Sequence, residues 1–318
     1  MQDIDVLLKA YLSDDDRFAD LVNGCVFGGE RVVSAENLAE MDSQLNLMER
    51  FRKRKLVKRF RDMVRKVAFD VNFAVIGVEN QEKIHYAMPL RVMNYDTGNY
   101  EEQVRGIGRL HRRRRDLSGD EFLSGFSGKD RLKPVVSLVL YYGEKPWDGP
   151  KSLFDMVEWE GIPEALQELA GDYRMNLIEV RKFEGTEWFR TDLKQVFSFI
   201  QASGSKERWK RVLEEQRDKF SEMEEDAYDL VCLLTGAGEL EQKKTEYRTE
   251  GGKIDMCQAL TELLEDSKNE GKLEGKQEGE DRFGRLTLKL LKEKRYKELE
   301  LASKDSRARN RLYREFKL

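Results

Sequence analysis

The chain has 318 residues, 39% of them hydrophobic and 37% charged, with 57 Lys and Arg against 61 Asp and Glu and a net charge of −4. That length and apolar share allow one large core or two modest ones beneath a densely charged surface. The charge balance excludes a uniformly basic nucleic-acid binder, so any polyanion site has to come from local clusters. Cys25, Cys232 and Cys257 are scattered, odd in number and without metal-ligand spacing. Neither a disulfide framework nor a zinc site is expected, and a reducing, cytoplasmic setting is. The start of the chain carries Asp3, Asp5 and Asp14 to Asp16 rather than a basic apolar leader. No apolar run approaches about 18 residues, so neither secretion nor membrane spanning is expected.

Residues 1–23 read as two short helices, with Val6, Leu7, Ala10, Tyr11, Phe18, Leu21 and Val22 near helical spacing and the triple aspartate as a cap between them. Lys9 there is, on its chemistry alone, a solvated lysine. Residues 24–29 make a turn, and residues 34–44 are helical or irregular. Residues 50–61 hold eight basic side chains in twelve, Arg59 and Arg61 among them, and no acid. Such a run is either a solvated helix face or a phosphate-binding face.

Phe73 to Val78 is the best strand signal of the first half, and Glu79 and Gln81 follow it. Two residues apart on an extended chain, they project to the same side. Asp62 heads the largely apolar run through Phe69, which reads as strand or as helix. If both runs are paired strands, Asp62 and Glu79 can meet, and two converging carboxylates suit a divalent, oxygen-seeking cation. If residues 61–69 are helical, Asp70 is the alternative carboxylate. Pro89 marks the first turn of a helix on which Leu90, Met93, Asn94 and Tyr95 cover the sheet, with Arg91 and Tyr95 on one face. His85, one of only two histidines, has a structural or surface role.

Residues 105–115 carry six arginines, including Arg112 and Arg113, and form a mobile or helical basic arm. Its Gly-x-Gly lacks the preceding strand and third glycine of a dinucleotide site. Residues 118–128 read as loop. Residues 134–142 are apolar on both faces and predict a central strand covered on both sides. Residues 152–158 read as helix, 176–180 as strand, and 190–201 as an amphipathic helix. From residue 206 the chain is helical, interrupted at residues 235–238. The glycines repeating every four residues over 270–279 make a poor isolated helix, either a tether or a close-packing stripe. Residues 281–318 are helical and strongly charged. The element order predicts a mixed α/β sandwich with one sheet.

Several of these segments together resemble a known family. Arg61-Asp62 at a strand start, Glu79-Asn80-Gln81 at a strand end, Met88-Pro89-Leu90-Arg91 with Tyr95-Asp96, and the block from Leu132 to Trp147 resemble the recombination-promoting nuclease and transposase family, the YhgA-like group of the PD-(D/E)XK nuclease superfamily. The resemblance covers residues 1–200 well and the tail more loosely, and its context Asp-x-Val-x-basic-Val favours Asp62 over Asp70. It implies a PD-(D/E)XK restriction-endonuclease-like mixed sheet flanked by helices, with a helical C-terminal region. The corresponding divisions are a nuclease-like domain over 1–204, a helical region over 205–268 and a charged helical tail over 269–318, a candidate homo-oligomerisation segment. It further implies a Mg2+-dependent endodeoxyribonuclease, with Mn2+ as the alternative ion, acting on DNA in recombination, horizontal transfer or phage defence. Asp62 and Glu79 would hold the metal, Gln81 would stand where the superfamily has a catalytic lysine, and Lys9 would match a lysine of the family's opening helix. Arg59, Arg61, Arg91, Arg112 and Arg113 would contact DNA. The alternatives are a catalytically degenerate nucleic-acid-binding protein on the same fold and an interaction protein assembled through its helical tail.

Overall fold

The computed structural model of the chain describes residues 4–40, 44–45, 59–60, 63–69, 72–235 and 238–318. They form two compact units, Met1–Cys257 and Gln258–Leu318. The first opens with α1 (Ile4–Tyr11) and α2 (Asp15–Phe27). The aspartate cap is observed: the Asp14 carboxylate accepts the Arg17 backbone N–H at 3.0 Å. Helix α2 continues through the predicted turn as far as Phe27, and Gly28, in the left-handed region at φ 60°, ends it.

Strands β1 (Leu38–Glu40), β2 (Gln44–Leu45), β3 (Arg59–Phe60), β4 (Met63–Phe69) and β5 (Asn72–Gln81) follow, then α3 (Met88–Arg114), α4 (Gly119–Ser124), β6 (Val135–Tyr141), α5 (Glu164–Gln167) and β7 (Asn176–Glu179). Helices α6 (Leu193–Ala202), α7 (Lys206–Glu215), α8 (Arg217–Phe220), α9 (Glu225–Thr235) and α10 (Gly238–Gln242) complete the unit up to the start of α11 (Met256–Lys292). The main sheet has the order β1-β4-β5-β6-β7; β4 runs antiparallel to both neighbours, and β5, β6 and β7 run parallel. Strands β2 and β3 pair separately. The fold is mixed α/β, and residues 63–69 take the strand alternative.

Strand β6 explains how the sheet is covered. Val139 and Tyr141 pack with Met88 and Val92 of α3, with Trp147 and with Met175. Leu138 and Leu140, which the pleat turns the other way, are also buried. Both faces are therefore dry, as its unbroken apolar run predicts. The α1–α2 corner is held to the sheet by Arg65 of β4, which donates to Asp15 Oδ1 at 2.9 Å and to the Ser13 carbonyl at 2.8 Å. Arg17 of α2 forms a second junction. It donates to both Asp192 carboxylate oxygens, at 2.9 and 2.8 Å, pairs with Asp226 of α9, and lies over the Tyr11 ring at 4.0 Å.

Other segments also differ from the local expectation or decide between its alternatives. Residues 152–158 hold a single 3-10 turn, Phe154–Met156, because the Asp155 carboxylate accepts the N–H groups of Lys151 and Ser152 and competes with a helix. Residues 118–128 contain α4 rather than loop alone. Leu90 is exposed; the buried face of α3 is Met88, Pro89, Val92, Tyr95, Asp96 and Asn99. The glycine-repeat tract is helical throughout, inside α11.

The second unit comprises most of α11 with α12 (Tyr296–Lys304) and α13 (Ser306–Glu315). Leu286 and Leu290 pack with Ala302, Leu312 and Tyr313 into its own small core. None of the described helices is long and apolar enough to cross a membrane.

Candidate functional site

Strand β5 ends in Val78-Glu79-Asn80-Gln81, and the first three are buried. Glu79 pairs in register with Val139 and Gln81 with Tyr141. Both partners lie in the cluster under α3, so Glu79 and Gln81 share the α3 side of the sheet. Glu79 is only 2% exposed, and Arg91, one turn into α3, reaches it: Nη2 lies 2.5 Å from Glu79 Oε1. Arg91 Nε donates to the Tyr95 hydroxyl at 3.1 Å, the shared helix face expected for residues four apart. The Gln81 amide Nε2 turns back to donate to the Asn80 carbonyl at 2.6 Å.

The position of α3 is fixed by Asp96, a buried carboxylate that accepts hydrogen bonds from the hydroxyls of Ser137 on β6 and Tyr173 ahead of β7. The sequence motif includes Asp96 but assigns it no role; its place in an apolar helix face, one turn after Arg91, is the signal that could have found it. Glu179, at the end of β7 and in register with Tyr141, is absent from the motifs altogether. Burial works to raise the Glu179 pKa. Lys182, at 2.7 Å, and the Trp147 N–H outweigh it and hold the carboxyl below its usual range. Glu79, Gln81 and Glu179 thus mark one end of three parallel strands, where open α/β sheets bind ligands.

The remaining predicted residues are dispersed. Lys9 stands exposed in the last turn of α1. Arg59 lies in β3, and its side chain, together with Arg61, Asp62, Asp70 and most of the basic run over 50–61, lies outside the described residues. Arg112 and Arg113 are exposed at the far end of α3. Twenty-one residues of helix put them about 30 Å from Arg91, so they are not brought together with Glu79. His85 is exposed, in keeping with a surface role.

Among the described residues no three His, Cys, Asp or Glu side chains group as a metal-binding set. Glu79 fits as one oxygen ligand of a hard divalent ion, which takes one or two carboxylates and keeps several waters. In the structure the cation at its Oε1 is Arg91. No family model, curated protein or solved structure matches the chain.

Proposed function

We propose that the chain is a metal-dependent DNA endonuclease of the PD-(D/E)XK type, the class that its motifs resemble. One observation carries the reading. Among the described residues the antiparallel β4–β5 ladder reaches the pair Met63↔Val78; in the sequence Asp62 precedes Met63 and Glu79 follows Val78. The mixed sheet with helices on both faces supports the same class. Glu79, with Asp62, would hold Mg2+ or Mn2+; such an ion supplies an acidified water and offsets charge on the scissile phosphate. Gln81 can donate a hydrogen bond to that water but adds no charge, unlike the lysine of the wider superfamily. Arg91 compensates the buried Glu79 carboxylate, and a guanidinium released from it is suited to grip a phosphate oxygen.

The second reading is a binding protein on a degenerate nuclease fold. Two observations favour it: the amide at position 81 and the arginine already on Glu79. Plasmid cleavage in Mg2+ separates the two. The nuclease reading expects nicking by the intact protein and none by Glu79→Ala or Asp62→Ala, with DNA binding retained in both. Equal nicking by all three, or none by the intact protein, removes it.

A further inference from the structure

The far end of α3 carries a feature that the candidate site does not use. Helix α4 holds Phe122 and Leu123, which are 67% and 83% exposed. The two are adjacent at the tip of a surface loop and make a small exposed apolar point. This loop is also firmly built. Glu121 Oε1 accepts the Ser127 hydroxyl at 3.0 Å and the Gly128 N–H at 2.8 Å, and Asp130 accepts the Ser127 N–H at 2.7 Å. Its tie to α3 is His111, whose Nδ1 lies 2.6 Å from Asp116 and Nε2 2.9 Å from Asp130. Ionised carboxylates only accept, so it is the protonated ring, donating from both nitrogens, that satisfies both contacts, and the two carboxylates raise the His111 pKa. Gly108 and Gly125 allow the backbones to meet: a Cβ at Gly108 would lie 3.2 Å from the Gly125 carbonyl oxygen.

Arg113, Arg114 and Arg115 end α3 a few residues before α4 begins at Gly119, and their side chains are exposed and make no hydrogen bond or ion pair among the described residues. Among the described residues Arg112 is tied down only through Nε to the Gly108 carbonyl. The surface therefore couples unneutralised guanidinium groups to a preorganised apolar point. An anionic partner with an apolar interior fits that pairing, and base-paired DNA offers phosphates outside and stacked bases within. A lipid bilayer fits less well, because a six-residue helix with two apolar side chains lacks the long apolar face of an interfacial helix. A second copy fits less well too: two such side chains bury roughly 300–400 Å2, against about 800 Å2 per partner for a stable interface.

We propose that the end of α3 and the α4 tip form a wedge for duplex DNA, in which Arg113 to Arg115 take phosphates while Phe122 and Leu123 enter between base pairs and unstack them. The inference rests on the nuclease reading for its choice of DNA, yet its test is independent of cleavage. In EDTA, full-length protein is titrated onto duplexes carrying 2-aminopurine at successive steps, over a range of salt.

The expected result is a fluorescence rise at one step on binding. Phe122→Ala/Leu123→Ala abolishes the rise and weakens binding about tenfold or more, with the salt slope kept. Arg113→Gln/Arg114→Gln lowers that slope by about one unit for each phosphate no longer neutralised. Leu169→Ala, at an equally exposed apolar position (82%), changes nothing. Because Phe122 and Leu123 are exposed, their removal leaves the fold intact. The wedge is overturned if the intact protein binds without unstacking, or if Phe122→Ala/Leu123→Ala binds and unstacks as the parent does. It is equally overturned if that variant loses only binding to phosphatidylserine vesicles or only self-association. A protein that unstacks DNA but never cuts it refutes the nuclease reading alone, one that cuts without unstacking refutes the wedge alone, and one that binds no DNA refutes both.

Discussion

Replacing Arg91 by Met tests whether Glu79 is a carboxylate kept for a cation. Glu79 is buried, whereas the Arg91 side chain is 36% exposed. Removing one partner of a wholly buried pair costs about 3–5 kcal/mol, because a charge is left uncompensated. Here the guanidinium keeps part of its hydration and water can reach its vacated position, so the cost falls to about 2 kcal/mol. For a unit of this size each kcal/mol lowers Tm by about 2–4 °C, which gives a loss of about 4–8 °C by circular dichroism. In a Glu79→Gln background the same change is nearly free, and the double-mutant cycle yields a coupling of about 1–2 kcal/mol. Mg2+ then supplies the second readout. At a hundredfold excess over its Kd a ligand specific to the native state adds about 2.7 kcal/mol, enough to restore Arg91→Met. The same Mg2+ has no such effect on Glu79→Gln/Arg91→Met. A coupling below about 0.5 kcal/mol, or equal Mg2+ stabilisation of the two proteins, refutes the reasoning.

Three further outcomes follow from the packing and the charges. Gly24→Ala drives a Cβ into the buried Phe189 ring, which itself packs on Phe183 and Phe197, so stability falls by about 1–3 kcal/mol in urea denaturation; an unchanged midpoint contradicts the close approach. Arg17→Met leaves Asp192 and Asp226 facing one another without their shared cation, at a cost of about 3 kcal/mol because Asp226 is half exposed, and a smaller loss in a double cycle with Asp192→Asn is expected. The hydrogen bonds to Asp116 and then Asp130 raise the His111 pKa above its usual value despite partial desolvation, with Glu121 and Arg131 as the other charged groups nearby. A raised pKa means that the stabilisation is full below about pH 6.5 and fades as pH climbs through the folded-state value. Amide exchange at Ser127 and Gly128 is therefore slower at pH 6 than at pH 8 after correction for intrinsic rates, and a His111 that titrates at or below about 6.5 by NMR contradicts this.

What the sequence makes legible is local chemistry. Asp14 as a cap, Pro89 in the first turn of α3, and the apolar run that becomes β6 each carry their cause within a few residues. The face of α3 is harder to read because two of its buried positions, Asp96 and Asn99, are polar and break the apolar stripe. Their burial depends on partners that the local pattern does not show, such as the distant hydroxyls of Ser137 and Tyr173 for Asp96. The same limit hides the partners of Arg17, which lie 175 and 209 positions away, since composition reports the charges and not their pairing. The glycine tract in α11, open in the sequence between a tether and a helical stripe, is helical. Propensity is a weak prior, and a helix already nucleated on both sides extends through poor formers at the cost of propagation alone.

Helix α3 also turns two separate proposals into one that constrains both. Its first turn holds Arg91 against Glu79, Asp96 pins its third turn to β6, and its last turn carries the arginines and the His111 tie to the α4 loop. The rod is continuous from Met88 to Arg114, so Arg91 at the candidate carboxylate and the arginines of the wedge are held about 30 Å apart. If a single duplex engages both, that separation corresponds to about nine base-pair steps at 3.4 Å each. The strand break should then fall a fixed distance of roughly one helical turn from the unstacked step. Mapping cleavage positions against the position of the 2-aminopurine response measures that offset directly. Lengthening α3 by one turn between Asn99 and Arg109 should move it by about two steps, because one turn adds about 5.4 Å. A cut site that stays in place when α3 is lengthened would separate the wedge from the catalytic end and leave them to act on different DNA molecules.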